Sequence, residues 1–161
     1  MHRVVLSLGG NVGDRLALLR QALNLLVPQM QLIHASGIYE TAAWGGNSEA
    51  PFLNQVLVMQ TTMEAEQTLD FIQNIEDVLG RKRVLKWGDR TMDIDILYFD
   101  RSIIHTDRLQ VPHGQMLSRN FILIPLTEVL PEEIHPQIPL THRELLKRCE
   151  DKLSVRPWSD G

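Results

Sequence analysis

The segment "GDRTMDIDILYFD", residues 88 to 100, sets Asp93 and Asp95 one residue apart among Met92, Ile94, Ile96 and Leu97. Ionised carboxylates resist burial unless a cation compensates them. Side chains alternate faces along a strand, so Asp93, Asp95, Leu97 and Phe99 are expected on one side. Two residues of strand rise separate the two Asp Cα atoms by about 7 Å. Carboxylates at that spacing can converge on the same one or two ions. Mg²⁺ is the natural choice, because it prefers hard oxygen and binds through one or two carboxylates completed by phosphates and water. Zinc fits less well, since no cysteine or histidine cluster lies nearby. The plain alternative is an exposed strand end with two solvated carboxylates.

Directly before this strand, "GRKRVLKWGDR" carries Arg81, Lys82, Arg83, Lys86 and Arg90. Taken alone, such a run is a solvated charged loop or a nucleic-acid patch. Beside a carboxylate pair it has a third use. A nucleoside triphosphate bound through Mg²⁺ needs carboxylates for the metal and guanidinium groups for the phosphate oxygens. The loop is also long enough to close over a site and exclude water. Glu76 and Gln73 fall on the inward stripe of the preceding helix, where polar groups either pair internally or face a ligand.

The elements that must position these groups follow from periodicity. "RVVLSLG" reads as a buried strand closed by the turn cluster "GGNVGD". From Asp14, Leu16, Leu19, Leu23 and Leu26 recur at helical steps up to Pro28. "QLIHASGIYET" and "FLNQVLVMQTT" are expected as two strands flanking the loop "AAWGGNSEAP". "MEAEQTLDFIQNIEDVLG" predicts a second amphipathic helix ended by Gly80, and the Asp93 strand follows. The order is β-α-β-β-α-β, an α+β, ferredoxin-like arrangement with an antiparallel sheet and both helices on one face. Beyond it, "RSIIHTDRLQVPH" predicts a short strand pair, and "FILIPLTEVL" a short helix that admits Pro125 only in its first turn. Thr141 and Glu144 have capping-box spacing for a last helix. These C-terminal pieces are expected to cover the second face of the sheet.

The 161 residues suit one domain, expected over 1–161, and 43% hydrophobic with 22% charged residues is an ordinary globular balance. The net charge of −4 gives no general reason to bind nucleic acid or an anionic membrane. No apolar run of about 20 residues is present to span a bilayer, and the N-terminal apolar stretch is too short for a signal peptide. Cys149, the sole cysteine, excludes an internal disulfide and suits a reducing compartment. The expectation is a cytoplasmic protein, a monomer or a weak dimer.

These motifs accumulate into a family. "WGDRTMDIDILYF" resembles the W-G-P-R-x-x-D-[LI]-D-[LI] signature of 6-hydroxymethyl-7,8-dihydropterin pyrophosphokinases, enzymes of folate biosynthesis. "LSLGGNVGDR", "IYETAAWG", "FLNQV", "IEDVLGRKR", "LQVPH" and "SRNFILIPLTEVLPE" resemble further segments of the family in the same order. The resemblance implies that ATP gives its β,γ-pyrophosphoryl group to the hydroxymethyl oxygen of a reduced pterin, leaving AMP. It implies two Mg²⁺ ions on Asp93 and Asp95, with Arg81 and Arg90 on the phosphates and Arg83 and Trp87 closing the loop. Gln73, Glu76, Arg108 and His113 would line the nucleotide side. For the pterin it implies Phe52 and Phe121 as stacking walls and Asn54 as the reader of the amide-like edge. Thr41, Ala43, Trp44 and Gly45 would add contacts around that ring. Read without the family, Phe52 and Phe121 are equally core residues and His113 a turn residue.

The chain departs from the pattern in places. Gly10 replaces a serine, Ala42 and Ala43 stand where proline is common, and Asp89 replaces the proline of W-G-P-R. The loop through Val84, Leu85 and Lys86 is one residue short against some relatives. Two other readings compete. Metal-dependent glycosyl transfer also uses D-x-D but expects a larger nucleotide fold with a G-x-G-x-x-G turn. A binding module that has lost catalysis would hold ATP without consuming it.

Overall fold

A computed structural model describes residues 1–41, 51–80 and 91–159. Its framework is a six-stranded antiparallel sheet. β1 (His2–Gly10) runs through the centre, flanked by β4 (Phe52–Thr61) and by the edge strand β5 (Asp93–Phe99). On its other side β4 pairs with β2 (Gln31–Ala35) and then with β3 (Tyr39–Thr41). The C-terminal strand β8 (Val155–Pro157) pairs along β3. A two-stranded ribbon, β6 (Ile104–His105) with β7 (Gln110–Val111), stands beside β5.

α1 (Arg15–Leu26) starts where the Asp14 side chain accepts from the Ala17 amide, and α2 (Ala65–Val78) runs on to Gly80 at φ +83°. Both pack on one face. Leu19, Ala22 and Leu26 of α1 and Ile72 and Ile75 of α2 close over Val4, Leu6, Leu8, Ile94 and Ile96. The opposite face is covered as the sequence predicts. α3 (Asn120–Val129) and α4 (His142–Arg148) bury Ile122, Leu123, Leu126 and Leu145 against Val5, Val56, Val58 and Leu97. The Thr141–Glu144 capping box is formed, with the Glu144 amide 3.2 Å from the Thr141 hydroxyl.

Three expectations are corrected. "QLIHASGIYET" is two strands. The Ser36 amide donates to the Val56 carbonyl and the Ser36 hydroxyl accepts from the Val56 amide, which ends β2 and turns the chain into β3. Phe99 does not share a face with the two aspartates. Val5 pairs with Tyr98 but Leu6 with Ile96, so Leu97 is an extra bulged residue. The alternation resets there, and Phe99 joins the α1–α2 core while Leu97 and Tyr98 join the other. Pro125 lies in the body of α3, beyond its first turn. The helix gives up one backbone hydrogen bond there, and the apolar packing of Ile122, Leu123 and Leu126 offsets that loss.

Candidate functional site

The candidate site residues that are described gather at one end of the sheet, and strand register places those on β3, β4 and β5. Asp93 pairs with Gly9, Gly9 with Asn54, and Asn54 with Tyr39. The next row inward on β5 and β1 pairs Asp95 with Ser7, and the outermost row on β3 and β4 pairs Thr41 with Phe52. Paired residues share a face in an antiparallel sheet. Asp93, Asp95, Asn54, Phe52 and Thr41 therefore all point to the α3 side, where Phe121 sits in the first turn of the helix.

At the pterin end expected from the resemblance, Asn54 is only 3% exposed and Thr41 2%. The Asn54 Nδ2 donates to Thr41 Oγ1 at 2.9 Å, which fixes the amide's orientation. Its Oδ1 lies over Gly9: a Cβ at that position would come within 2.6 Å of it. Phe52 and Phe121 are half-buried. Phe121 packs on the edge of the α3 core and lies 5.5 Å below the Arg119 guanidinium.

Asp93 and Asp95 are also half-buried. They open into a cavity of about 500 Å³ that wraps around the edge of β5. Gln73, Glu76 and Arg108 line it from the α1–α2 side, and His113, Gln115 and Arg119 from the other. Glu76 is buried and accepts the outward Ile94 amide at 2.8 Å, so it stitches α2 to the sheet edge while lining the cavity. Further along the strand, the His113 amide donates to the Leu97 carbonyl. Arg108 reaches across to Glu66 and Asp70, and its guanidinium comes within 3.5 Å of the Gln73 side chain. Those carboxylates, Asp70 foremost, hold Arg108 above its ordinary pKa.

Burial pushes His113 below the usual histidine pKa, with the Arg119 charge acting in the same direction and Asp93 opposing it. The Gln115 amide donates to His113 Nδ1, so the neutral ring carries its proton on Nε2. That nitrogen is 3.7 Å from Asp95 Oδ2, too far for a hydrogen bond and near enough to share one ligand with it.

No cluster of three or more metal-binding side chains occurs among the described residues. Mg²⁺ does not need one. Two half-exposed carboxylates on a common face, opening into a cavity with water and phosphate access, fit a hard divalent ion. Carboxylate oxygens and guanidinium and imidazole donors line the same cavity, the chemistry required to hold a metal-bound polyphosphate. Arg119 and Gln115 escaped the sequence reading, although Arg119 stands in the quoted "SRNF" two residues before Phe121. Arg81, Arg83, Trp87, Asp89 and Arg90, and with them Ala42, Ala43, Trp44 and Gly45, lie outside the described residues.

Comparison with known proteins agrees. Residues 5–131 match the family described as 7,8-dihydro-6-hydroxymethylpterin-pyrophosphokinase (HPPK). A protein of Aquifex aeolicus named 2-amino-4-hydroxy-6-hydroxymethyldihydropteridine pyrophosphokinase is 37% identical over 98% of this chain and 96% of its own. One of the same name from Bacillus subtilis is 38% identical over 95% of this chain and 88% of its own. Among solved structures, Plasmodium falciparum HPPK-DHPS superposes on 91% of this chain with a TM-score of 0.76 at 18% identity; the match spans 44% of that longer chain. The fold is the ferredoxin-like α+β fold of these domains. The chain belongs to the 7,8-dihydro-6-hydroxymethylpterin-pyrophosphokinase family.

Proposed function

We propose that this chain transfers the β,γ-pyrophosphoryl group of ATP to the hydroxymethyl oxygen of 6-hydroxymethyl-7,8-dihydropterin, in folate biosynthesis. The observation that carries the reading is the row Asp93–Gly9–Asn54, in a chain whose relatives are named for this reaction. Across two strand spacings, about 10 Å, it sets a carboxylate for the metal-nucleotide beside an oriented amide for the acceptor. The pterin hydroxyl oxygen bonds to Pβ, the bond from Pβ to the oxygen bridging Pα breaks, and AMP leaves.

Asp93 and Asp95 hold two Mg²⁺ ions, whose chemistry when bound is to neutralise phosphate charge and acidify the pterin hydroxyl. Asn54 reads the amide-like edge of the pterin, Phe52 and Phe121 stack on it, and Thr41 fixes the Asn54 amide. Ala43, Trp44 and Gly45 complete this pocket. Gln73, Glu76, Arg108 and His113 line the nucleotide cavity. His113 acts as a neutral hydrogen-bond donor through Nε2. Arg81 and Arg90 bind the phosphates, with Arg83 and Trp87 closing the site. No covalent protein nucleophile is needed, since phosphoryl transfer rests on positioning and charge stabilisation. The 161 residues work as one cytoplasmic domain, a monomer or weak dimer, on two small-molecule substrates.

Product analysis tests this. With Mg·ATP and the reduced pterin alcohol, the nucleotide product is AMP, formed in equal amount to pterin diphosphate. ADP or free phosphate as the main product would reject the reaction.

A further inference from the structure

β3 is three residues long, yet it sets the position of Thr41, the acceptor for the Asn54 amide. Besides pairing with β4 and β8, it is anchored from both faces. From α3, Glu128 accepts from the Gly37 amide, ahead of the strand, and from the Tyr39 hydroxyl. The second half of β3 is held from the opposite direction by Arg15, in the first turn of α1. One Arg15 guanidinium nitrogen donates to Glu40 Oε2 at 2.9 Å and to the Pro51 carbonyl at 3.0 Å. Glu40 immediately precedes Thr41, and Pro51 immediately precedes Phe52, the residue with which Thr41 pairs. A single side chain thus ties together the residues that precede the two members of one register pair.

Arg156 of β8 also reaches Glu40, at 2.9 Å. Its side chain is 74% exposed, against 25% for Arg15 and 14% for Glu40, so solvent screens that outer bond far more than the inner one.

We propose that Arg15 is a positioning residue for pterin recognition, fixing the Thr41–Phe52 pair on which the Asn54 amide is oriented. Arg15 touches neither the aspartate pair nor any residue lining the nucleotide cavity among the contacts described. Its loss therefore affects one substrate. The inference rests on the reading above that Asn54 and Phe52 meet the pterin.

Steady-state kinetics with each substrate varied, together with calorimetric titration of the pterin alcohol, provide the test. Arg15→Gln raises KM and Kd for the pterin alcohol about tenfold, through misplacement of the Asn54 amide, and leaves KM for Mg·ATP within about twofold. Arg15→Lys, which keeps one donor and the charge, restores part of the pterin affinity. Arg156→Gln leaves both constants near wild type. Unchanged pterin constants in Arg15→Gln overturn the inference, and so does a parallel rise in both KM values, the mark of general loosening. A wild-type chain that ignores the pterin alcohol even with an inert Mg·ATP analogue bound overturns the functional reading itself, and the inference with it.

Discussion

Asn54 shows how firmly one side chain of the candidate site is held in one orientation. Its Nδ2 is committed to Thr41 and its Oδ1 hangs over the bare Cα of Gly9, so the amide is settled before any ligand arrives. Gly9 has an ordinary strand pairing; glycine is needed there for the space it leaves. In Gly9→Ala the new methyl would lie 2.6 Å from that oxygen, and the Asn54 amide must swing away. The expected outcome is a pterin affinity lowered about tenfold or more, with nucleotide affinity unchanged, measured by separate titrations of the two ligands. Equal pterin binding by the two proteins would show that the Asn54 amide is not the reader. Asp93 and Asp95 announce themselves in the sequence because two charges stand in an apolar run. Arg119 and Gln115 do not, since a cation before a helix is ordinary and only folding brings it opposite the β5 carboxylates.

At the scale of elements, the strands and helices with strong periodicity were legible in the sequence. Leu19 and Leu26 of α1, and Ile72 and Ile75 of α2, are buried as their spacing predicts. What pattern could not supply was local geometry decided by neighbours. The break between β2 and β3 depends on Ser36 finding Val56, and the β5 bulge on how Leu6 and Ile96 pair. Glu76 was readable as a polar residue on an apolar stripe, but its partner, a backbone amide on the sheet edge, was not. The start of β1 offers a pH-dependent test of how elements are joined. His2 reaches Asp100 beyond β5 at 2.7 Å and Glu64 at the head of α2 at 3.3 Å. The Asp100 bond first, then the Glu64 bond, raises its pKa above the ordinary 6.5. A raised value in the folded state means that protonation favours folding. This contribution is complete below the unfolded pKa and is lost as pH rises through the folded one. The difference in thermal midpoint between wild type and His2→Asn should therefore be larger near about pH 5.5 than near about pH 8.5. A difference that stays constant or widens at high pH contradicts the pairing.

Across the whole molecule, the two faces of the sheet have separate duties. The α1–α2 face is apolar core over most of its length, and the α3–α4 face is core at one end and carries the candidate site at the other. The edge strand β5 divides the candidate site, with carboxylates facing α3 and the cavity proposed for the nucleotide wrapping around its outer side to α2. On the proposed reading, β5 would present metal ligands to a triphosphate while β1, its neighbour, and β4, next in the sheet, would carry the acceptor pocket. The central claim is that the Asp93–Asp95 pair binds nucleotide through a divalent ion. Calorimetric titration of a non-hydrolysable ATP analogue, with Mg²⁺ and then with excess chelator, tests it without relying on turnover. Wild type should bind the analogue far more tightly with Mg²⁺, and the Asp93→Asn/Asp95→Asn double variant, still folded by circular dichroism, should lose that metal-dependent gain. An equal gain in both proteins, or no effect of Mg²⁺ on wild type, would contradict the account.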